Sequence, residues 1–466
     1  DYLYYSSSIF SLPPSPFSAP FLSATAAMSL LGAPLEQQRI DEIRGRFPEC
    51  KEAVPEEARY WSEGDLEAFL GSHGEVRPRL APRASGRSCA LLTRVRLRLA
   101  EARGPTGPTE EYRSFCRRFA EVREMRRAPG ASECENWRLP HVAECAEVAQ
   151  AKSYPSGPLR SPLRIDKPQD WAARRYNMDF WKRLCGEDRW VCRARSPAFE
   201  DDAEGADTFA LGASVAEYVD YARLVHRVDR TCLEDNALAN PRLSLEGWVP
   251  AEGPLREQLA EGWRQFGPEG LQDFTARWTG LFARTCGADI VDVLPSFYQV
   301  SLGVTGAITR LHEQIGGAHA WLTQIEGRRL FYLFSPSEAR NTCTVECSSG
   351  RGQPGFARRV ALVDVMSPSA KRHPGFADAR AQMVILYMGH TLLVPAGWSW
   401  YSVALEPSVT LYHPFWNLEN RAFFTDGFRQ YVDVSGLPVH LMDRVQPSLD
   451  LIKDQVEGDD DSDLDV

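Results

Sequence analysis

The sequence is short of the features that would assign it a class at once. No apolar run approaches the roughly eighteen residues that a membrane-crossing helix needs, so no transmembrane helix is expected. None of the eleven cysteines forms a Cys-x-x-Cys pair, and Cys343 with Cys347 makes only a lone C-x3-C. That is too few ligands for a structural zinc site, and scattered cysteines in odd number fit free thiols in a reducing, intracellular compartment, cytoplasmic or nuclear. There is no G-x-S-x-G, no H-E-x-x-H and no P-loop glycine pattern. His312-Glu313 is not the start of a zincin motif, because position 316 is Gly.

Positive charge is also in deficit. The formal net charge is −10, and acid gathers at the end, from Gly458 to Val466. General nucleic-acid binding wants a basic face, so it is not expected. The clusters Arg117-Arg118 and Arg123 to Arg127 read as solvated helix faces. What is present is an ordinary globular balance, 43% hydrophobic and 25% charged, enough for a sizeable core.

Residues 1–27 carry Ser, Pro, Phe and Leu but no Lys or Arg, and they precede the first methionine, Met28. A secretory signal would begin with a basic stretch. The segment is expected to be disordered, as a translated upstream stretch or the remnant of an organelle-targeting peptide.

Residues 28–152 read as a helical N-terminal region. Helices are expected at 65–70, at 89–103 and at 109–127, where Phe115, Phe119, Val122 and Met125 fall at helical spacing. Residues 153–167, rich in Pro, Ser and basic residues, read as a linker. Within 208–227, Ser214-Val-Ala-Glu217 reads as a capping box, with Val215, Tyr218, Ala222 and Val225 as the apolar stripe of the helix. Residues 229–250 read as loop, and 255–266 and 271–285 as helices. Strands follow at 297–304, 330–334, 382–388 and 391–395, and helices at 418–432 and 442–452. Many short strands preceded by helices suggest an α+β chain with a mainly β core, a double-stranded β-helix or jelly-roll barrel. The tail, 456–466, is expected to be disordered.

The chemistry concentrates in two stretches. One runs from Thr309 to Pro336 and holds His312, Glu313 and Gln314, an apolar run, a turn at Glu326-Gly327 and a second apolar run. The other runs from Gly389 to Asn417 and contains Pro395-Ala-Gly-Trp398-Ser-Trp400-Tyr401. With the Trp-bearing segment at 169–195, they resemble the JmjC-type cupin domain of Fe(II)- and 2-oxoglutarate-dependent oxygenases, over about residues 168–417.

The resemblance implies a metal held by two histidines and a carboxylate, with 2-oxoglutarate bound beside it. His312 matches the first histidine. Two residues on, where the family has an acid, stands Gln314, neutral and a weak ligand. Glu313 is an acid one position away, which a regular strand would point to the other face and a bulge could bring back. The second histidine position matches Trp400, whose indole offers an N–H and no lone pair. His319, His390 and His413 are the other histidines considered for a rebuilt site. Thr309 and Arg329 match the positions that hold the 2-oxoglutarate carboxylate, and an arginine suits that task.

Two readings follow. One is a catalytically degenerate barrel, a pseudoenzyme that binds a protein partner or a small acid. The other is a working 2-oxoglutarate-dependent protein hydroxylase or demethylase whose metal site is rebuilt from His312 with Glu313 and His413. The resemblance also admits a homodimer through C-terminal helices, and the aromatics at 422–432 serve a core equally well.

Overall fold

The computed structural model describes residues 114–115, 117–121, 130–166, 172–195, 208–229, 242–249, 267–287, 290, 297–346, 359–432 and 439–459. The leader, the helices expected at 65–70, 89–103 and 255–266, and residues 460–466 lie outside them.

Sixteen strands are found among the described residues. They are β1 (Glu144–Glu147), β2 (Ala149–Ala151), β3 (Leu163–Asp166), β4 (Arg189–Arg195), β5 (Thr208–Ser214), β6 (Ser244–Trp248), β7 (Gln299–Gly303) and β8 (Ile308–Glu313). The rest are β9 (His319–Glu326), β10 (Arg329–Phe334), β11 (Thr344–Glu346), β12 (Arg359–Ala361), β13 (Arg380–Leu386), β14 (His390–Val394), β15 (Ser399–Ala404) and β16 (Ser408–Phe415). The helices are α1 (Glu133–Trp137), α2 (Met178–Leu184), α3 (Val215–Asp229), α4 (Thr275–Cys286), α5 (Phe424–Tyr431) and α6 (Val439–Gly458).

The strands form two sheets, ordered β1-β13-β10-β15-β8-β12-β11 and β2-β3-β14-β9-β16-β7-β6-β4-β5. At their centres, β8-β15-β10-β13 faces β7-β16-β9-β14. From β7 to β10 and again from β13 to β16 successive strands alternate between the sheets, which is the jelly-roll arrangement. Alternation along each strand puts Phe331, Leu333, Val384, Leu386, Leu392, Val394 and Trp400 into one cluster between the sheets. The opposite faces pack outward. Trp181 of α2 and Tyr218 and Val219 of α3 cover the larger sheet. Phe282 of α4, Phe428 of α5 and Leu449 of α6 make a separate helical core. The aromatics at 422–432 therefore include core residues, Phe424 and Phe428, while Phe423 is exposed.

Several expectations hold in detail. Glu217 N–H donates to Ser214 Oγ and Ser214 N–H to a Glu217 carboxylate oxygen, so the capping box forms. The turn at Glu326-Gly327 joins β9 to β10. Gly327 sits at φ 72°, and a Cβ there would run into the Pro407 carbonyl, so the position demands glycine.

The residues leading into the box, 208–214, form β5 and pair with β4 along its whole length. Other expectations are corrected. Residues 144–151, expected with the helical region, carry β1 and β2. Residues 163–166, expected as linker, carry β3. These short strands are edge additions: β1 runs parallel to β13, and β3 antiparallel to β14. Such pairing comes from long-range partners and leaves little local signal. The stretch read as loop contains β6. The last helix runs to Gly458, and the Asp459 side chain accepts from Arg277 and Trp278, which fixes the start of the acidic tail.

Candidate functional site

The candidate site lies between the two sheets, where β8 and β15 pair. His312 stands opposite Trp400 in that register, and Thr309 opposite Ser402. Three steps along β8 thus match two along β15. This bulge brings Thr309 and His312 to the same face although they are three apart.

The imidazole Nδ1–H of His312 donates to the Arg310 carbonyl at 2.8 Å. That fixes the tautomer with the lone pair on Nε2, the form that ligates metals. The surroundings do not complete a site. The Trp400 ring centroid is 4.2 Å from that of His312, and Phe331 backs the indole at 5.9 Å. Trp400 is 5% exposed, and its indole N–H has no hydrogen-bond partner among the described residues. The space of a second imidazole is filled by an indole that cannot ligate.

The carboxylate position fares no better. Gln314 is buried, and its carbonyl oxygen, the atom that could face a metal, accepts from the Tyr412 hydroxyl. Glu313 falls one residue away and pairs with Arg359 at 2.6 Å. His413 neighbours Tyr412 on β16, so alternation turns it to the outer face. There its Nε2–H donates to Asp273 at 2.8 Å, and its ring stacks on Tyr298 with centroids 4.1 Å apart. Burial opposes the Asp273 charge, but His413 and the Thr275 hydrogen bonds outweigh it and hold the carboxyl below its ordinary value. His390 lies 3.6 Å from Asp166 on β3, at the sheet edge. His319 accepts from the Ala396 N–H on Nδ1, and burial pulls it down to about 4. These histidines are thus not brought together. Among the described residues no group of three His, Cys, Asp or Glu side chains could hold a metal ion. The donor set at His312 does not fit an Fe(II) centre.

The acid subsite is built differently. Thr309 and Arg329 are both buried. Arg329 is 2% exposed, and its Nε and Nη2 have no hydrogen-bond partner among the described residues. Burial pulls the guanidinium below its ordinary value, partly offset by the charge of Glu246. Thr309 donates its hydroxyl to the same Glu246 carboxylate at 2.6 Å. Glu246 was missed in the sequence because its stretch read as loop. The signal available was the Glu246-Gly247 pair next to Trp248.

Comparison with known proteins agrees with this architecture. Residues 269–421 match the family described as Cupin-like domain. Lysine-specific demethylase 8 of Xenopus tropicalis is 29% identical over 114 residues, 24% of this chain and 23% of that protein. HSPB1-associated protein 1 of Rattus norvegicus is 31% identical over 106 residues, 23% of this chain and 21% of that protein. Its Bos taurus counterpart is 30% identical over a stretch of the same length. The matched segment therefore spans less than a quarter of these relatives. Fold and family match agree: residues 269–421 match a cupin-like domain model, and the strand order around them is that of a jelly-roll barrel.

Proposed function

We propose that this protein is a catalytically degenerate JmjC-like barrel that works as a binding module for a protein partner. The observation that carries this reading is the Trp400 indole seated against His312, 4.2 Å between centroids. A first-row divalent ion needs several donors converging on one point. Here Trp400 supplies none, Gln314 is engaged by Tyr412, and Glu313 is engaged by Arg359. A lone neutral imidazole gives little affinity for an ion that must shed water. Support for a protein partner comes from the relatives: one is named for acting on lysine, and two for association with a protein.

A second reading is a working 2-oxoglutarate-dependent hydroxylase or demethylase. It is favoured by one observation, the His312 tautomer, whose Nδ1–H is tied to Arg310. Anaerobic titration with Fe(II) or Mn(II), with and without 2-oxoglutarate, separates the two. The binding-module reading expects no metal uptake by the wild type or by His312→Ala. Tight uptake that His312→Ala abolishes sinks it.

A further inference from the structure

One of the two residues placed to grip an acid's carboxylate already holds one. Glu246 receives the Thr309 hydroxyl at 2.6 Å, and its charge reaches the Arg329 guanidinium without a direct hydrogen bond. Its position is built in the backbone. In the β6–β7 pair, Ser244 stands opposite Gly303 and Leu245 opposite Leu302, but Trp248 stands opposite Val300. Three steps on β6 thus match two on β7, so one extra residue is inserted at Glu246-Gly247. Gly247 takes φ 66°, the left-handed conformation that such a bulge uses. Leu245 and Trp248 both stay in the outer core under α2 and α3. Alternation after Leu245 turns Glu246 to Thr309, and the bulge returns Trp248 to the outer core.

The opposite wall carries matching chemistry. Gly303, the β7 partner of Ser244, has no side chain where Arg329 comes closest. A Cβ there would lie 3.1 Å from Arg329 Nη2 and 3.0 Å from Ser408 Oγ. The guanidinium, carried by β10, therefore sits against β7 at Gly303. A buried cation needs a counter-charge, because its desolvation costs several kcal/mol when uncompensated.

We propose that Glu246 is the resident carboxylate of this subsite: it holds the Thr309 hydroxyl that an exogenous acid would need, and it makes the barrel refuse small mono- and dicarboxylates. Glu246 is then the residue that sets ligand specificity at Thr309 and Arg329. The proposal rests on the reading of the chain as a JmjC-like barrel. It does not depend on the metal, so its test is run in chelator, where failure leaves the metal titration untouched.

The experiment is thermal melting of the full chain, wild type and Glu246→Ala, with acetate, with 2-oxoglutarate and with chloride at matched ionic strength. The wild type should show no saturable response to either acid. Glu246→Ala should melt lower and regain a few degrees, saturably, with acetate or 2-oxoglutarate but not with chloride. A folded Glu246→Ala that is indifferent to both acids overturns the proposal. Calorimetry on the wild type keeps the test decisive if the variant does not fold. Saturable acid binding that Arg329→Lys weakens overturns the proposal, and absence of binding upholds it.

Discussion

Trp400 stands across the β8–β15 pair from His312, and its indole packs on the imidazole with centroids 4.2 Å apart. The residue that would need to ligate is the residue that fills the space. This single pairing decides how the barrel is read, and it can be reversed by substitution.

Gln314→Asp with Trp400→His should create metal affinity where the wild type has none. The two changes add a carboxylate and a second imidazole to a His312 already in the ligating tautomer. A gain of roughly 100-fold or more in Mn(II) affinity is expected. The lost indole should cost about 3 kcal/mol of stability through the cavity it leaves. Calorimetry and urea unfolding read both. A folded double variant that still ignores Mn(II) would show that Trp400 and Gln314 are not what excludes the ion.

His319 should make the fold acid-sensitive. Its Nδ1 accepts from Ala396 N–H, and burial lowers its pKa from 6.5 to about 4. The folded state holds the ring neutral while the unfolded chain protonates it. Its contribution is therefore full above about pH 6.5 and falls away as the pH drops toward 4. The total change is about 3 kcal/mol. Urea midpoints at pH 7 and pH 5 should converge in His319→Gln. An unchanged pH slope in that variant would refute the assignment.

The Asp273–His413 pair anchors α4 to the outer face of β16. Asp273 titrates below its ordinary value, so the stability it contributes is present above the carboxylate range and is lost as the pH falls through that range. Asp273→Asn should cost about 1–3 kcal/mol at neutral pH, because it leaves His413 without its acceptor charge. The difference from wild type should close in acid. Equal destabilisation at pH 7 and in acid would argue against a charge-dependent pair.

Gly327 is a backbone test of the β9–β10 turn. At φ 72° any other residue is strained by about 1–2 kcal/mol. A methyl there must also displace the Pro407 carbonyl, next to the start of β16. Gly327→Ala should lower the melting temperature by several degrees without altering the metal titration. A neutral effect would mean that the turn can rearrange.

The order of apolar and polar residues was enough to give the barrel. Alternating strands, the Glu326-Gly327 turn and the Ser214–Glu217 capping box are local patterns, and each leaves a mark in a few neighbouring residues. The same holds for the departures at Gln314 and Trp400, which are matters of residue chemistry. The tertiary structure alone decided the rest. It set the edge strands β1 to β3, whose pairing partners lie far along the chain. It turned His413 outward to Asp273, and Glu313 aside to Arg359. It also brought Glu246, 63 positions before Thr309, to meet Thr309 and the Arg329 charge. Side chains from separate strands come together only after register and bulges are fixed, and those depend on the pairing of whole strands rather than on any stretch of sequence.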